Sequence, residues 1–146
     1  MENWTTRQAT NEDKEFLYIL NRAAYEDVVR RQFGQWNEAW HRWHFEVKWA
    51  PQTFEIIEKA GQRIGALSVS RTSEEVRIIE IQLFPEFQRH GIGTAILQRE
   101  LRFADKRALP ARLQVLRENR ARTLYERLGF SVCGETDTYF LMEAAR

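Results

Sequence analysis

The stretch Gln88-Arg89-His90-Gly91-Ile92-Gly93-Thr94 comes shortly after the apolar run Ile78–Phe84 and decides the predicted fold. The apolar run predicts a buried strand, and the apolar spacing that begins at Ile92 predicts a helix. A tight glycine turn therefore joins a strand to a helix. This arrangement directs several free backbone N–H groups, at the positive end of a helix dipole, toward one spot beyond the strand. Such a spot suits a phosphate group.

Two well-known phosphate-binding motifs do not match this turn. A nucleotide-triphosphate P-loop needs a lysine after its last glycine, but Gly93 is followed directly by Thr94. A dinucleotide fingerprint needs a third glycine where Ile96 stands, together with an early βαβ unit. From the turn alone, an ordinary strand-to-helix connection, in which the glycines only avoid steric clashes, remains an alternative to a phosphate site.

Composition narrows the class of protein. The chain has 146 residues, 43% of them hydrophobic and 29% charged, which predicts one compact globular domain over residues 1–146. The net charge of +1 gives no basis for nucleic-acid binding. A single cysteine, Cys133, and the lack of a cysteine and histidine ligand set indicate a reducing cytoplasm and no metal site. From its sequence the chain is expected to have neither a secretory signal peptide nor a membrane-spanning segment.

Hydrophobic periods predict the order of the remaining elements. Strands are expected at 4–9, 54–58, 63–70, 75–84 and 111–116, with a final hairpin of 130–133 and 138–142. A first helix of about five turns should start near Thr10 and be broken by Gly34, and further helices are expected at 36–48, 92–108 and 119–128. The helix after the glycine turn joins two strands, which should therefore run parallel. The strands before it read as an antiparallel meander.

Two motifs together resemble those of the GNAT-type N-acetyltransferases. Gln88–Gly93 matches Gln/Arg-x-x-Gly-x-Gly/Ala after a strand that ends in a proline loop, and Asn119–Phe130 matches Asn-x5-Tyr before Leu-Gly-Phe. The order of strands and helices from Trp4 to Met142 is also similar, so the resemblance covers most of the chain. It implies an α/β (mixed α+β) single domain with a mixed, mostly antiparallel sheet of about seven strands flanked by helices. In such a fold a parallel strand pair splays apart where acetyl-coenzyme A binds.

The resemblance also implies which residues bind acetyl-coenzyme A. Backbone N–H groups from Gln88 to Thr94 would hold the pyrophosphate. Main-chain groups of Leu83, with Phe84 beside it, would pair with the pantetheine arm, and Asn119 would cap its helix and touch that arm. Arg122 could meet a phosphate or be solvated. The predicted cofactor-binding residues are Leu83, Phe84, Gln88, Arg89, His90, Gly91, Ile92, Gly93, Thr94, Asn119, Arg122 and Tyr125.

Two catalytic residues are expected. Tyr125 matches the general acid of the family, which protonates the departing thiolate, although by itself it reads as a packing aromatic. Glu80 interrupts an apolar central strand, so burial should raise its pKa toward that of a useful general base. An ion pair with Arg77 or a neighbouring strand is the alternative for Glu80, and some family members relay the proton through water instead.

The expected reaction is acetyl transfer by direct attack of a primary amine, with a small molecule as the acceptor. Tyr25, Trp36, Glu38 and Trp40 are the predicted acceptor-binding residues, because the first two helices form one wall of the acceptor site in this family, although core packing explains the spacing almost as well. Protein N-termini or lysines are alternative acceptors, and a non-catalytic coenzyme-A-binding protein is a further alternative. His41 and His44 read as solvated, and Cys133 reads as a small buried hydrophobe. Homodimers are common in the family, and one sequence leaves the oligomeric state open.

Overall fold

The computed structural model describes residues 3–144. Within this range the chain forms seven strands and four α-helices. Their bounds are β1 Trp4–Gln8, α1 Lys14–Phe33, α2 Glu38–Lys48, β2 Glu55–Lys59, β3 Gln62–Arg71, β4 Val76–Leu83, α3 Ile92–Lys106, β5 Ala111–Leu116, α4 Ala121–Arg127, β6 Ser131–Glu135 and β7 Tyr139–Ala144.

The strands belong to one sheet in the order β1-β2-β3-β4-β5-β7-β6. Val76–Ile78 of β4 pairs in parallel with Ala111–Leu113 of β5, whereas the pairs β1–β2, β2–β3, β5–β7 and β6–β7 are antiparallel. The predicted mixed α/β fold, with one parallel pair joined through a crossover helix, is thus confirmed. Among the described residues the parallel ladder covers only those three residue pairs, although β4 continues to Leu83.

Some element boundaries differ from the predicted ones. The second helix begins at Glu38 rather than Trp36, because the Asn37 side chain accepts a hydrogen bond from the Trp40 N–H and caps the helix there. The crossover helix ends at Lys106 and the fourth helix at Arg127, each slightly earlier than expected.

Cys133 is exposed, which corrects the prediction that it is buried. It lies on β6, and this strand forms the edge of the sheet next to β7. A hydrophobic pattern predicts a strand but not its place in the sheet, and an edge strand leaves more of its surface open to solvent.

The described residues group into two compact units. The first contains the residues up to Ser68 together with Glu80–Gln88, and the second contains Val69–Ile79 together with the residues from Arg89 onward. β3 and β4 therefore contribute residues to both units. The expectation of one domain over residues 1–146 stays a prediction.

The first unit packs α1 against β2 and β3. Its buried cluster lies beneath a layer of partly buried aromatic side chains. The buried members are Ala9, Leu17, Leu20, Ile56 and Ala66, and the aromatic layer is Phe16, Phe45, Trp49, Phe54 and Phe84. The Phe84 ring meets the edge of Phe16 at a centroid distance of 5.7 Å, so the residue that follows β4 is anchored in this core.

The second unit buries one face of α3. Ile92, Ile96, Leu97 and Ala104 are buried on this helix, as the predicted period requires. Glu100 is buried as well, and Arg71 at the end of β3 donates two hydrogen bonds to its carboxylate, at 2.9 and 2.8 Å. A buried carboxylate needs such a partner, so this ion pair fixes the end of β3 against the crossover helix.

Asp13 is a buried carboxylate in the first unit. It is 2% exposed and accepts hydrogen bonds from Arg7 at 2.9 and 3.0 Å, from Arg63 at 3.2 Å and from the Thr10 N–H at 2.9 Å. We expect Asp13→Asn to lower the free energy of unfolding by about 2–3 kcal/mol at pH 7, because two partly exposed guanidinium groups lose their common anion. Urea denaturation measures the change.

The pH dependence of this loss has a defined sign. The hydrogen bond from Arg7 lowers the pKa of Asp13 far below its ordinary value. The stabilisation is complete above the unfolded pKa of about 4 and disappears as the pH falls through the folded pKa, so the difference between the two proteins should shrink below pH 4. Asp27→Asn is the matched control, because the Asp27 carboxylate pairs with Arg31 on the exposed face of α1. An equal loss in both variants would contradict the assigned role of Asp13.

Candidate active site

The glycine turn in the second unit exposes a row of backbone N–H groups. Arg89 and Gly91 both have left-handed backbone conformations, with φ of 64° and 82°. The Ala95 N–H donates to the Gly91 carbonyl at 3.0 Å as α3 begins, so the N–H groups of Ile92, Gly93 and Thr94 have no acceptor within their helix. A left-handed turn ahead of a helix N-terminus is a concave anion-binding site.

Gly91 has the open surroundings that such a site requires. A side chain at this position would meet no atom within 4 Å, but the positive φ would strain any residue other than glycine. Arg89, His90 and Gly91 are exposed, while the Ile92 side chain is buried and fixes the start of α3. The turn is thus packed at its helical end and accessible at its tip.

The predicted row of free N–H groups is corrected at Gln88, a residue of the first unit. Its N–H donates to the Pro85 carbonyl at 3.2 Å and is not free. Its side-chain amide donates to the Leu83 carbonyl at 2.9 Å, and the Phe84 N–H donates to the Ile64 carbonyl at 3.1 Å. Gln88 therefore braces the end of β4, and the accessible N–H groups begin after it.

Glu80 lies on β4 in the first unit with little hydration. Loss of solvent raises the pKa of its carboxyl group to about 7, while the positive charge of Lys48 acts weakly in the opposite direction. The residue keeps some accessible surface, but its carboxyl group is densely surrounded by protein. Arg77, the ion-pair partner of the alternative interpretation, donates to Glu75 at 2.9 Å. A carboxyl group with this pKa can exchange a proton near neutral pH.

Tyr125 is a buried side chain of α4 in the second unit. Its ring meets the edge of Phe130 at a centroid distance of 6.0 Å, and burial raises the pKa of its phenol to about 12. Within residues 3–144 no hydrogen bond is found for its hydroxyl group, which is thus available to a ligand as a donor. The phenol is protonated at every working pH.

Asn119 and Arg122 lie at the start of the same helix. The Asn119 side chain accepts a hydrogen bond from the Ala121 N–H at 2.9 Å, so it closes the turn that leads into α4. The Arg122 guanidinium lies over the Phe140 ring at 4.2 Å and donates weakly to Glu126 at 3.4 Å. A partly exposed guanidinium held on an aromatic ring is oriented and can still pair with a phosphate.

Glu38, predicted near the mouth of an acceptor pocket, belongs to a hydrogen-bonded cluster in the first unit. Its carboxylate accepts from the Tyr18 hydroxyl at 2.6 Å, from Arg22 at 2.8 Å and from the Trp36 indole N–H at 3.0 Å. These donors lower the pKa of Glu38, with Tyr18 the largest contributor. The carboxylate joins α1 to α2, and most of its acceptor capacity is already used.

The aromatic residues of α2 do not form an enclosed pocket among the described residues. Trp36 is buried and stacks on His41 at 3.7 Å, whereas Trp40 and Trp43 are 51% and 61% exposed. Tyr25 lies on α1, and Trp40 stacks on His44 at 4.8 Å. The prediction of an enclosed aromatic site therefore does not hold for Trp40. The four acceptor assignments stay predictions.

No group of three or more His, Cys, Asp or Glu side chains within residues 3–144 is arranged to hold a metal ion. Nor does any described helix combine the length and apolar character needed to cross a bilayer.

Sequence reasoning missed two residues, Gln82 beside Glu80 on β4 and Gly65 on β3. Gln82 is buried on the same face of β4, and its amide N–H donates to Glu80 Oε2 at 3.2 Å. Only glycine fits at position 65 on β3, because a Cβ atom at Gly65 would lie 2.3 Å from the Gln82 carbonyl oxygen. The two-residue spacing of Glu80 and Gln82 could have indicated the first contact, since alternate residues of a strand share a face. Nothing local to Gly65 indicates the second contact.

A seven-stranded sheet with a parallel β4–β5 pair, and a glycine turn that leads from the fourth strand into the crossover helix, define an N-acetyltransferase type of α/β fold. Residues 50–132 match the model of the acetyltransferase (GNAT) domain. The chain belongs to this family.

Individual relatives agree with this assignment. An uncharacterized N-acetyltransferase from Methanocaldococcus jannaschii is 28% identical over 141 residues, which cover 89% of this chain and 62% of the relative. The chain thus spans less than two thirds of the length of this curated relative.

Solved structures share the fold at low sequence identity. The PaiA N-acetyltransferase from Thermoplasma acidophilum, in complex with coenzyme A, has a TM-score of 0.80 at 19% identity and covers 99% of this chain and 100% of its own. The ribosomal-protein-S18-alanine N-acetyltransferase from Escherichia coli has a TM-score of 0.68 at 21% identity and covers 97% of this chain and 93% of its own.

Proposed function

We propose that this protein transfers the acetyl group of acetyl-coenzyme A to a primary amine by direct attack. The turn around Gly91 carries this proposal, because a run of unpartnered N–H groups at a helix N-terminus fits a pyrophosphate. Family membership supports the same donor, as does the coenzyme A bound to the PaiA relative.

The remaining donor contacts follow from residues on β4 and α4. Main-chain groups of Leu83, with Phe84 beside it, would pair with the pantetheine arm, and the Gln88 side-chain amide donates to the Leu83 carbonyl at the start of that segment. Asn119 and Arg122 would touch the arm and a phosphate, respectively. Acetyl-coenzyme A supplies an activated thioester, so no covalent acyl-enzyme is needed.

Glu80 is the proposed general base. An alkyl ammonium group must lose a proton before its nitrogen can attack, and a carboxylate whose pKa is about 7 can take it directly or through water. In the transfer, the nitrogen lone pair forms the new C–N bond and the C–S bond breaks with its electron pair on sulfur. The second nitrogen proton passes to water as the amide forms, and coenzyme A leaves as a thiolate that takes up a proton from water.

Tyr125 is the proposed acid for the leaving group. A phenol whose pKa is about 12 is a weaker acid than a thiol, whose pKa is about 8.5, so complete proton transfer is uphill by several kcal/mol. The hydroxyl therefore stabilises the departing thiolate mainly as a hydrogen-bond donor, in a position with little competing water.

We expect Tyr125→Phe to lower kcat by about 100-fold and to change the KM for acetyl-coenzyme A little, because only the bond to the developing thiolate is lost. Thiol release from acetyl-coenzyme A in the presence of a panel of primary amines measures both constants. Tyr139→Phe, on β7, is the matched control and should keep wild-type rates. Equal rates in Tyr125→Phe and wild type would remove Tyr125 from the mechanism.

The same assay tests the alternatives. A small-molecule acceptor predicts turnover with free amines, whereas a protein N-terminal or lysine acetyltransferase predicts turnover with peptides alone. The exposed Trp40 and Trp43 favour the peptide alternative more than the sequence did, since an open aromatic surface suits an extended acceptor. A non-catalytic coenzyme-A-binding protein would bind acetyl-coenzyme A but would release no thiol, whether free amines or peptides are supplied.

A further inference from the structure

Gln82 has a buried side-chain amide in the first unit. It is 3% exposed, and its amide N–H donates to Glu80 Oε2 at 3.2 Å. Burying an amide costs free energy unless its hydrogen bonds are made, so an apolar residue would be the simpler choice at this position on β4. The presence of an amide therefore points to its partner.

The backbone of Gln82 is fixed from the opposite side. Its carbonyl oxygen lies where the Cβ atom of any larger residue at Gly65 would have to be, at 2.3 Å. Two residues further on, the Phe84 N–H donates to the Ile64 carbonyl at 3.1 Å. β4 is thus held closely against β3 at this point, which fixes the backbone that carries the Gln82 side chain.

The hydrogen bond from Gln82 engages one of the two carboxylate oxygen atoms of Glu80. Oε2 receives the Gln82 N–H, while no hydrogen bond to Oε1 is found within the described part of the chain. Lys48, in the last turn of α2, is the charged side chain among the described residues whose field acts on Glu80. A carboxylate held through one oxygen keeps its direction and presents the other oxygen.

We propose that Gln82 is a positioning residue for Glu80, whose buried amide holds one carboxylate oxygen so that the other faces the acceptor amine. The role in turnover rests on the proposed function, but the contact itself does not. A hydrogen bond from a neutral amide favours the ionised carboxylate, so Gln82 opposes the rise in the pKa of Glu80 that burial causes.

Gln82→Met tests the proposal, because methionine keeps the approximate volume and removes the donor. The first measurement is an NMR titration of the Glu80 carboxyl carbon, assigned with Glu80→Gln. We expect the titration midpoint of Glu80 to rise by about one pH unit in Gln82→Met. An unchanged midpoint would overturn the proposal whether or not the protein acetylates amines.

The second measurement is the pH profile of kcat/KM in a double-mutant cycle. We expect Gln82→Met to move the acidic limb to higher pH and to lower the plateau about tenfold, and to have no effect on rate in a Glu80→Gln background. Equal losses in both backgrounds would show a structural role alone and would overturn the positioning role. Failure of the proposed function is distinguishable from both results, because it leaves the wild-type protein without turnover while the NMR midpoint still shifts.

Discussion

Replacement of Gly91 by valine should lower the affinity for coenzyme A at least 100-fold. The backbone at Gly91 has φ of 82°, which a β-branched residue adopts only with strain. Accessible N–H groups of the turn lie on both sides of this residue. Relief of the strain would rotate these N–H groups away from their common direction.

Calorimetry with coenzyme A and with pantetheine, which lacks the pyrophosphate, measures the effect. Wild-type protein should bind coenzyme A far more tightly than pantetheine, and Gly91→Val should lose this difference. Gly34→Val is the matched control, because Gly34 ends α1 with φ of 89° and also has no atom within 4 Å of its Cβ position. Both variants should lose about 1–3 kcal/mol of stability from strain, but only Gly91→Val should lose affinity. Unchanged affinity in Gly91→Val would contradict the pyrophosphate assignment.

The sequence predicted the elements of this fold because their signals are local. Glycine and proline marked the turns around Gly91 and Pro85, and alternation or three- and four-residue spacing distinguished strands from helices. The parallel pair followed from the length of the crossover. Edge position did not follow, since the pattern of Val132 and Cys133 is compatible with an interior strand, and only the sheet order places β6 at the edge.

The candidate site was predictable where one residue type implies one chemistry. Glu80 in an apolar strand predicted a raised pKa, which the structure confirms. Partners from distant parts of the sequence were not predictable. The hydrogen bonds that Glu38 accepts from Tyr18 and Arg22 depend on the packing of α2 against α1. The close approach of the Gln82 carbonyl to Gly65 depends on the register of β3 and β4.

Glu80→Gln should combine a large loss of activity with a gain in stability. Without a base, kcat/KM at pH 7 should fall by about 10²–10³-fold. The wild-type rate should rise with pH through about 7 as Glu80 loses its proton, and this limb should be absent from the residual activity of the variant. A water relay independent of Glu80 would instead leave the limb in place in Glu80→Gln, and that result would exclude Glu80 as the base.

Ionisation of Glu80 and ionisation of Asp13 change the stability of the fold in opposite directions as the pH rises. Because burial raises the folded pKa of Glu80 to about 7, above an unfolded value of about 4.3, ionisation costs nothing below pH 4 and destabilises the fold increasingly up to pH 7. Glutamine cannot ionise, so the variant should gain about 1–3 kcal/mol at pH 8 and nothing at pH 4, as measured by urea denaturation. Glu74→Gln, in the exposed turn before β4, is the matched control and should change neither quantity. A loss of stability at pH 8 in Glu80→Gln would show that the carboxylate is satisfied in the fold, and would contradict its assignment as a poorly hydrated base.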